Sequence, residues 1–205
     1  MPEVASGPAA HERLALVQAL QQAGAEADTL CEGWNAHDLA VHVAVRDARP
    51  DVVFGQKVPM VAARAGRRYQ QFEQMSFEDL VPRIQAGAPR WSPARLRQVD
   101  NAMNTLEFFV HTEDVLRAGP VSKSAPRREV PEPVRRTLWR HASHTMFKAA
   151  ARKAARRITF LSPGCGAVTH GRDGDPILIL EGAPEELVLW AFGRDAAAQV
   201  STREP

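Results

Sequence analysis

The chain has 205 residues, 44% of them hydrophobic, and a formal charge of +2. That is enough apolar material for one larger domain or two small ones. The near-neutral balance argues against a nucleic-acid or anionic-membrane surface as the main role. No apolar run is long enough to span a bilayer. The opening stretch, M-P-E-V-A-S-G-P-A-A, lacks the basic start and apolar core of a secretory signal, so a cytoplasmic protein is expected. Cys31 and Cys165 lie far apart and in no C-x-x-C pattern, which argues against a disulfide framework and a cysteine zinc cluster.

In chain order, His11 to Gln22 carries Leu14, Val17 and Leu20 at helical spacing and ends at Gly24. His11 sits in its first turn, where an exposed or capping role is expected. The stretch T-L-C-E-G-W-N-A-H-D-L-A-V-H-V-A-V-R-D follows. Asn35 reads as an N-cap and Asp38 as a first-turn acid. Leu39, Ala40, Val43 and Ala44 make a packing face, with His42 between Leu39 and Arg46. Cys31 reads as a small buried hydrophobe that becomes reactive if a metal lies near it. R-P-D at 49 to 51 interrupts or ends this helix. Val58 to Phe72 reads as another helix, with Arg64, Arg67 and Arg68 on a solvated side. Ser76 caps a short helix, and a Pro-rich loop, G-A-P-R-W-S-P, precedes the next element.

That element, starting near Val99 or Asp100 and stopping before Gly119-Pro120, is the most informative in the chain. Leu106, Phe108, Phe109, Val110, Val115 and Leu116 give it an apolar body. Asn104, Glu107, His111 and Asp114 keep one helical face through that body. Glu107 and His111, four apart, project a carboxylate and an imidazole side by side, which is half of a divalent metal site. His42 is the obvious remaining donor; a hydrogen-bonded core pair is the alternative. Arg46, one turn beyond His42, is expected to pair with Asp114, one turn beyond His111.

Residues 121 to 133 read as a linker. A single long helix is expected from Val134 to about Ala155, with its arginines and lysines solvated and with His141 and His144 as weak ligand candidates. The pattern then turns strand-like at R-I-T-F-L-S, A-V-T-H and I-L-I-L. A helix over P-E-E-L-V-L-W-A and a last strand at A-Q-V-S-T complete the chain. The expected class is α+β, with a helix bundle over 1–120, a linker over 121–133 and a small α+β domain over 134–205.

The segments L-C-E-G-W-N-A-H-D-L-A-V-H-V, N-T-L-E-F-F-V-H-T-E-D-V and L-V-L-W-A-F-G-R together resemble a known family. They are similar to the actinobacterial proteins related to mycothiol-dependent maleylpyruvate isomerase, within the DinB-like superfamily. The resemblance implies a DinB-like four-helix bundle followed by a sterol-carrier-like α+β domain. It implies a divalent metal, typically zinc, held by His42 (not His37), Glu107 and His111 with one position open. It also implies that Arg194, in W-A-F-G-R, lies near bound substrate, and that mycothiol is a co-substrate.

Such a site suits a thiol-dependent transferase or isomerase acting on a small electrophile, with Arg194 or Arg46 gripping a substrate carboxylate. A metal-dependent hydrolase is the alternative and would need Asp114 or Glu113 as base. A non-catalytic metal-binding regulatory module is a further alternative, weakened by the missing C-x-x-C ligands. The expected partners are a small-molecule substrate and a low-molecular-weight thiol, with no nucleic acid and no membrane.

Overall fold

The protein is described by a computed structural model covering residues 7–48, 59–87, 100–119 and 127–204. The interruption expected at 49–51, most of the Pro-rich loop and residues 121–126 of the linker lie outside the described residues. The elements run α1 Pro8–Ala23, α2 Ala36–Ala48, α3 Pro59–Glu73, α4 Phe77–Ala86, α5 Asp100–Leu116, α6 Glu132–His144 and α7 Met146–Ala154. They continue as β1 Arg157–Ser162, β2 Gly166–His170, β3 Ile177–Glu181, α8 Pro184–Ala191 and β4 Ser201–Arg203. No helix among the described residues is long and apolar enough to cross a membrane.

Two helix starts follow the capping chemistry. Asn35 Oδ1 accepts from the Asp38 amide at 3.0 Å, and Asp38 Oδ2 accepts from the Asn35 amide at 3.2 Å, a reciprocal box that sets the entry of α2. Ser76 does the same work for α4, accepting from the Asp79 amide at 3.2 Å. The loop before α2 is pinned to α5, because the Leu30 amide donates to the Asp114 carbonyl at 2.9 Å. His42 and His111 are therefore set by elements that are tied together.

Helix α5 sits between two hydrophobic cores. Phe108 and Val115 join the first, with Leu16 and Leu20 of α1, Leu39 and Val43 of α2, and Leu80 and Ile84 of α4. Leu106, Phe109 and Val110 face the second, with Leu138 of α6, Phe147 of α7, Phe160 of β1, Leu180 of β3 and Leu187 of α8. In that second core Phe147 stacks on Phe160 with ring centroids 4.1 Å apart, and Trp190 meets Phe160 edge-on at 6.0 Å.

The sheet has the order β2-β1-β3-β4, with β1 and β3 parallel and the outer pairs antiparallel. On β1, Ile158, Phe160 and Ser162 are buried and alternate with half-buried residues, so one face takes the helices. The turn after β2 depends on Gly171. Its φ is 123°, and a Cβ there would stand 2.5 Å from the Arg156 carbonyl oxygen.

Three expectations are corrected. The single helix over Val134–Ala155 is two helices that break at Thr145, whose φ is −120°. Ser143 and Thr145 return their hydroxyls to the Trp139 and His141 carbonyls, the polar back-bonding that weakens a helix interior. Leu14 is exposed rather than packed; Leu16 takes the buried place on α1. The last strand is shorter and later than A-Q-V-S-T, covering Ser201–Arg203.

A buried ion chain, not visible in the local pattern, joins both ends of the fold. Arg128 donates through Nη2 to Glu12 Oε2 and through Nε to Glu113 Oε1, both at 2.6 Å. Glu113 also takes Arg117, which bridges to both oxygens of Glu186 at 2.8 Å. Glu12 is fully buried and Glu113 and Glu186 nearly so, which is tolerable only because each carboxylate meets a guanidinium. Arg128→Met leaves Glu12 without its cation, and we expect urea unfolding to show a loss of about 3–5 kcal/mol. A loss below about 1 kcal/mol would contradict this account of the chain.

Candidate metal centre

The polar line on α5 carries the site. His111 is one turn beyond Glu107, and their side chains meet, with Nε2 to Oε2 at 3.4 Å. From α2, the His42 ring stands 5.4 Å from the His111 ring at 74°, and Trp34 backs it at 5.2 Å. One donor atom each from His42, Glu107 and His111 lies within 4.8 Å of the others. The two nearby histidines are held elsewhere or exposed: His37 Nε2 is bound at 2.9 Å to the Met75 carbonyl, and His11 lies at the surface.

Behind the three donors stands Asp114, fully buried. Its Oδ2 accepts from His111 Nδ1 at 3.0 Å and from the Cys31 thiol at 3.2 Å. Arg194 grips both carboxylate oxygens at 2.8 Å and gives Nη1 to the Phe192 carbonyl. With Nδ1 occupied by a carboxylate, His111 turns Nε2 towards Glu107 and His42. That is the outer support metal-binding imidazoles ordinarily have.

A second group, Cys31, His111 and Asp114, also brings three donors within 4.8 Å of one another. Arg194 already supplies its cation, with Nη2 3.3 Å from Cys31 Sγ as well as on Asp114. The set on the Nε2 side is therefore the one that fits a metal: two imidazoles and a carboxylate, borderline and hard donors in the ratio of an open zinc site.

The electrostatics set the two imidazoles apart. Burial, reinforced by the neighbouring His111, lowers the His42 pKa to about 4, so His42 is neutral and able to ligate. Burial also opposes charge on His111, but hydrogen bonds from Asp114, Cys31 and Glu107 outweigh it and raise its pKa to about 10. Glu107 and Asp114 are held below the usual carboxylate range against their own burial, chiefly by hydrogen bonds with His111, with Arg46 and Arg194 adding charge.

The expected pairing of Arg46 with Asp114 is not what the fold makes. Arg46 donates to Asn104 Oδ1 at 2.7 Å and lies 3.7 Å from Glu107 Oε2, two turns earlier on α5 than expected. Asp114 takes Arg194 instead, from 80 residues away. Glu113 faces the other side of α5 and is spent on Arg117 and Arg128. Cys31, read as a small hydrophobe, is a half-buried member of the support network. The Arg194–Cys31 contact crosses 163 residues and has no local signal.

Together the described elements form an α+β fold, helices with one four-stranded sheet, and the donor cluster lies between α2 and α5. Two solved structures share that fold over nearly the whole chain. One is the crystal structure of the mycothiol-dependent maleylpyruvate isomerase, 16% identical, with a TM-score of 0.59 over 97% of this chain and 93% of that one. The other is a histidine-to-alanine mutant of that isomerase, at 16% identity and a TM-score of 0.58 over 95% and 90%. At that identity the likeness establishes the fold. No family model matches the chain, and no curated protein matches it.

The two histidines give opposite pH signatures in metal-stripped protein. His42 stabilises the fold above its unfolded pKa of about 6.5 and loses that contribution as pH falls towards 4; His111 contributes fully below about 6.5 and loses it as pH rises through 10. Imidazole nitrogen shifts should show one ring neutral at pH 6 and another protonated at pH 8. Finding both rings titrating together near 6.5 would break the assignment.

Proposed function

We propose that the chain binds a divalent metal, zinc in the first instance, through His42, Glu107 and His111. It then uses a low-molecular-weight thiol such as mycothiol to transfer to, or isomerise, a small electrophilic substrate. The carrying observation is the convergence of the three donors from two helices, with Asp114 fixing the His111 tautomer. The shared fold with a mycothiol-dependent isomerase supports the thiol part of the reading. In the same reading the helical unit over 1–120 is a DinB-like bundle, 121–133 a linker, and 134–205 a sterol-carrier-like domain.

Bound there, the metal supplies Lewis acidity that favours the thiolate over the thiol at neutral pH. The protein's own groups do the rest. Neutral His42 and ionised Glu107 provide ligands without first losing a proton, whereas His111 releases one when it ligates. Asp114 orients His111, and Arg194 neutralises the buried charge of Asp114. Arg46 places a fixed positive charge beside Glu107, at the partly exposed side of the cluster. A hydrolytic reading has less support, since Asp114 and Glu113, the carboxylates it would use as base, are both committed to arginines.

Untagged protein prepared with ample metal should retain about one ion per chain, and His42→Ala, Glu107→Ala and His111→Ala should each abolish retention while helical content holds. Mycothiol or bacillithiol should be consumed with some member of an electrophile panel, and chelation should stop the consumption until zinc is returned. Metal retention unaffected by the three substitutions would sink the site, and no thiol binding or consumption would sink the chemistry. Asp114→Asn, which keeps the shape, should weaken metal binding roughly 10- to 100-fold; affinity within about twofold of the parent would remove Asp114 from the support role.

A further inference from the structure

We infer that Arg46, and not Arg194, is the residue that receives an anionic group of the substrate, a carboxylate by the shape of the guanidinium. This deepens the proposed function, because the pocket is the same one. Among the described residues two arginines approach the site, and they differ in what they have left to offer. Arg194 has none of its three nitrogens idle: Nε and Nη2 hold the two oxygens of Asp114, Nη1 holds the Phe192 carbonyl, and Nη2 also meets Cys31. Turning it towards a ligand would strip the cation from a fully buried carboxylate, one of the costlier rearrangements a folded protein can make.

Arg46 is arranged differently. Its Nη1 is held by the neutral Asn104 oxygen at 2.7 Å, and its Nε stands 3.7 Å from Glu107, an ion-pair distance beyond hydrogen-bond reach. Nη2 has no hydrogen-bond partner among the described residues, and it is not among their buried unpaired atoms, so it reaches solvent. The side chain is 19% exposed and Glu107 beside it 25%, which places this free donor at the open side of the cluster. The guanidinium is thus fixed in advance, at no cost to another buried charge, with a donor left for a planar oxyanion. Arg46 lies one turn beyond His42, so an anion held there lies close to the proposed ligands.

The test uses metal-stripped full-length protein and fumarate as the probe, so that neither a metal nor a thiol contributes to binding. Calorimetric titration should show saturable binding to the parent. Arg46→Gln should weaken it tenfold or more, on the scale of one charge-assisted hydrogen bond at about 1.5–3 kcal/mol. Arg46→Lys should recover part of the loss. Glu107→Gln, which removes the negative charge beside Arg46, should tighten binding; this sign is opposite to any general loss of fold. Unsaturable fumarate binding to the parent, or undiminished binding to Arg46→Gln, would each overturn the assignment. Failure of metal retention or thiol consumption would leave this measurement standing, so the two readings fail separately.

Discussion

Everything in this fold turns on α5 being buried on two opposite sides. Phe108 and Val115 are locked into one core, and Leu106, Phe109 and Val110 into the other. A helix held that way can neither rotate nor slide without opening a cavity in close-packed surroundings. Its remaining faces must carry whatever polar groups it has, and they do so at fixed positions. Glu107, His111 and Asp114 therefore form a ruler rather than a loose cluster. The partner histidine is held to the same ruler, because the loop before α2 bonds to the Asp114 carbonyl.

Burying so much charge creates a demand that the rest of the chain meets with arginine. Asp114 is answered by Arg194, Glu113 by Arg117 and Arg128, Glu186 by Arg117, and Glu12 by Arg128. Asp47 is answered by Arg13, whose guanidinium also lies 4.4 Å over the Phe108 ring. The planar fork of arginine suits this task better than lysine, since one residue can satisfy two carboxylates or both oxygens of one. These pairs are not evidence of surplus stability, as burial consumes most of the attraction. They specify one arrangement of α1, α5 and α8, because any other strands a charge.

The split between what was legible and what was not follows sequence separation. Glu107, His111 and Asp114 share a helix, so periodicity alone puts them on one face. His42 was readable because it shares the packing face of α2 with Leu39 and because α5 offers two matching donors. Strands β1, β2 and β3 were readable from the strand-like runs R-I-T-F-L-S, A-V-T-H and I-L-I-L. What escaped were contacts whose members have no local relation: Arg128 with Glu12, Arg194 with Cys31, and Arg46 with Asn104 rather than Asp114. The helix break at Thr145 escaped for another reason. Helical periodicity continues on both sides of it, and only the return of two hydroxyls to the backbone reveals the fault.

The ion chain that crosses the molecule has a temporal side. The three proposed ligands are all present once residue 111 has been made, yet the groups that steady them arrive much later. Glu186 anchors Arg117, the Gln199 amide anchors Glu186, and Arg194 anchors Asp114. A nascent chain leaving the ribosome therefore carries an unbraced donor set for the time needed to synthesise about 80 further residues, on the order of 4–16 s at 5–20 residues per second. Through that interval Asp114 stands behind His111 without the cation that neutralises it in the finished fold, whereas Arg117 and Arg128 reach Glu113 and Glu12 within a few more residues of synthesis.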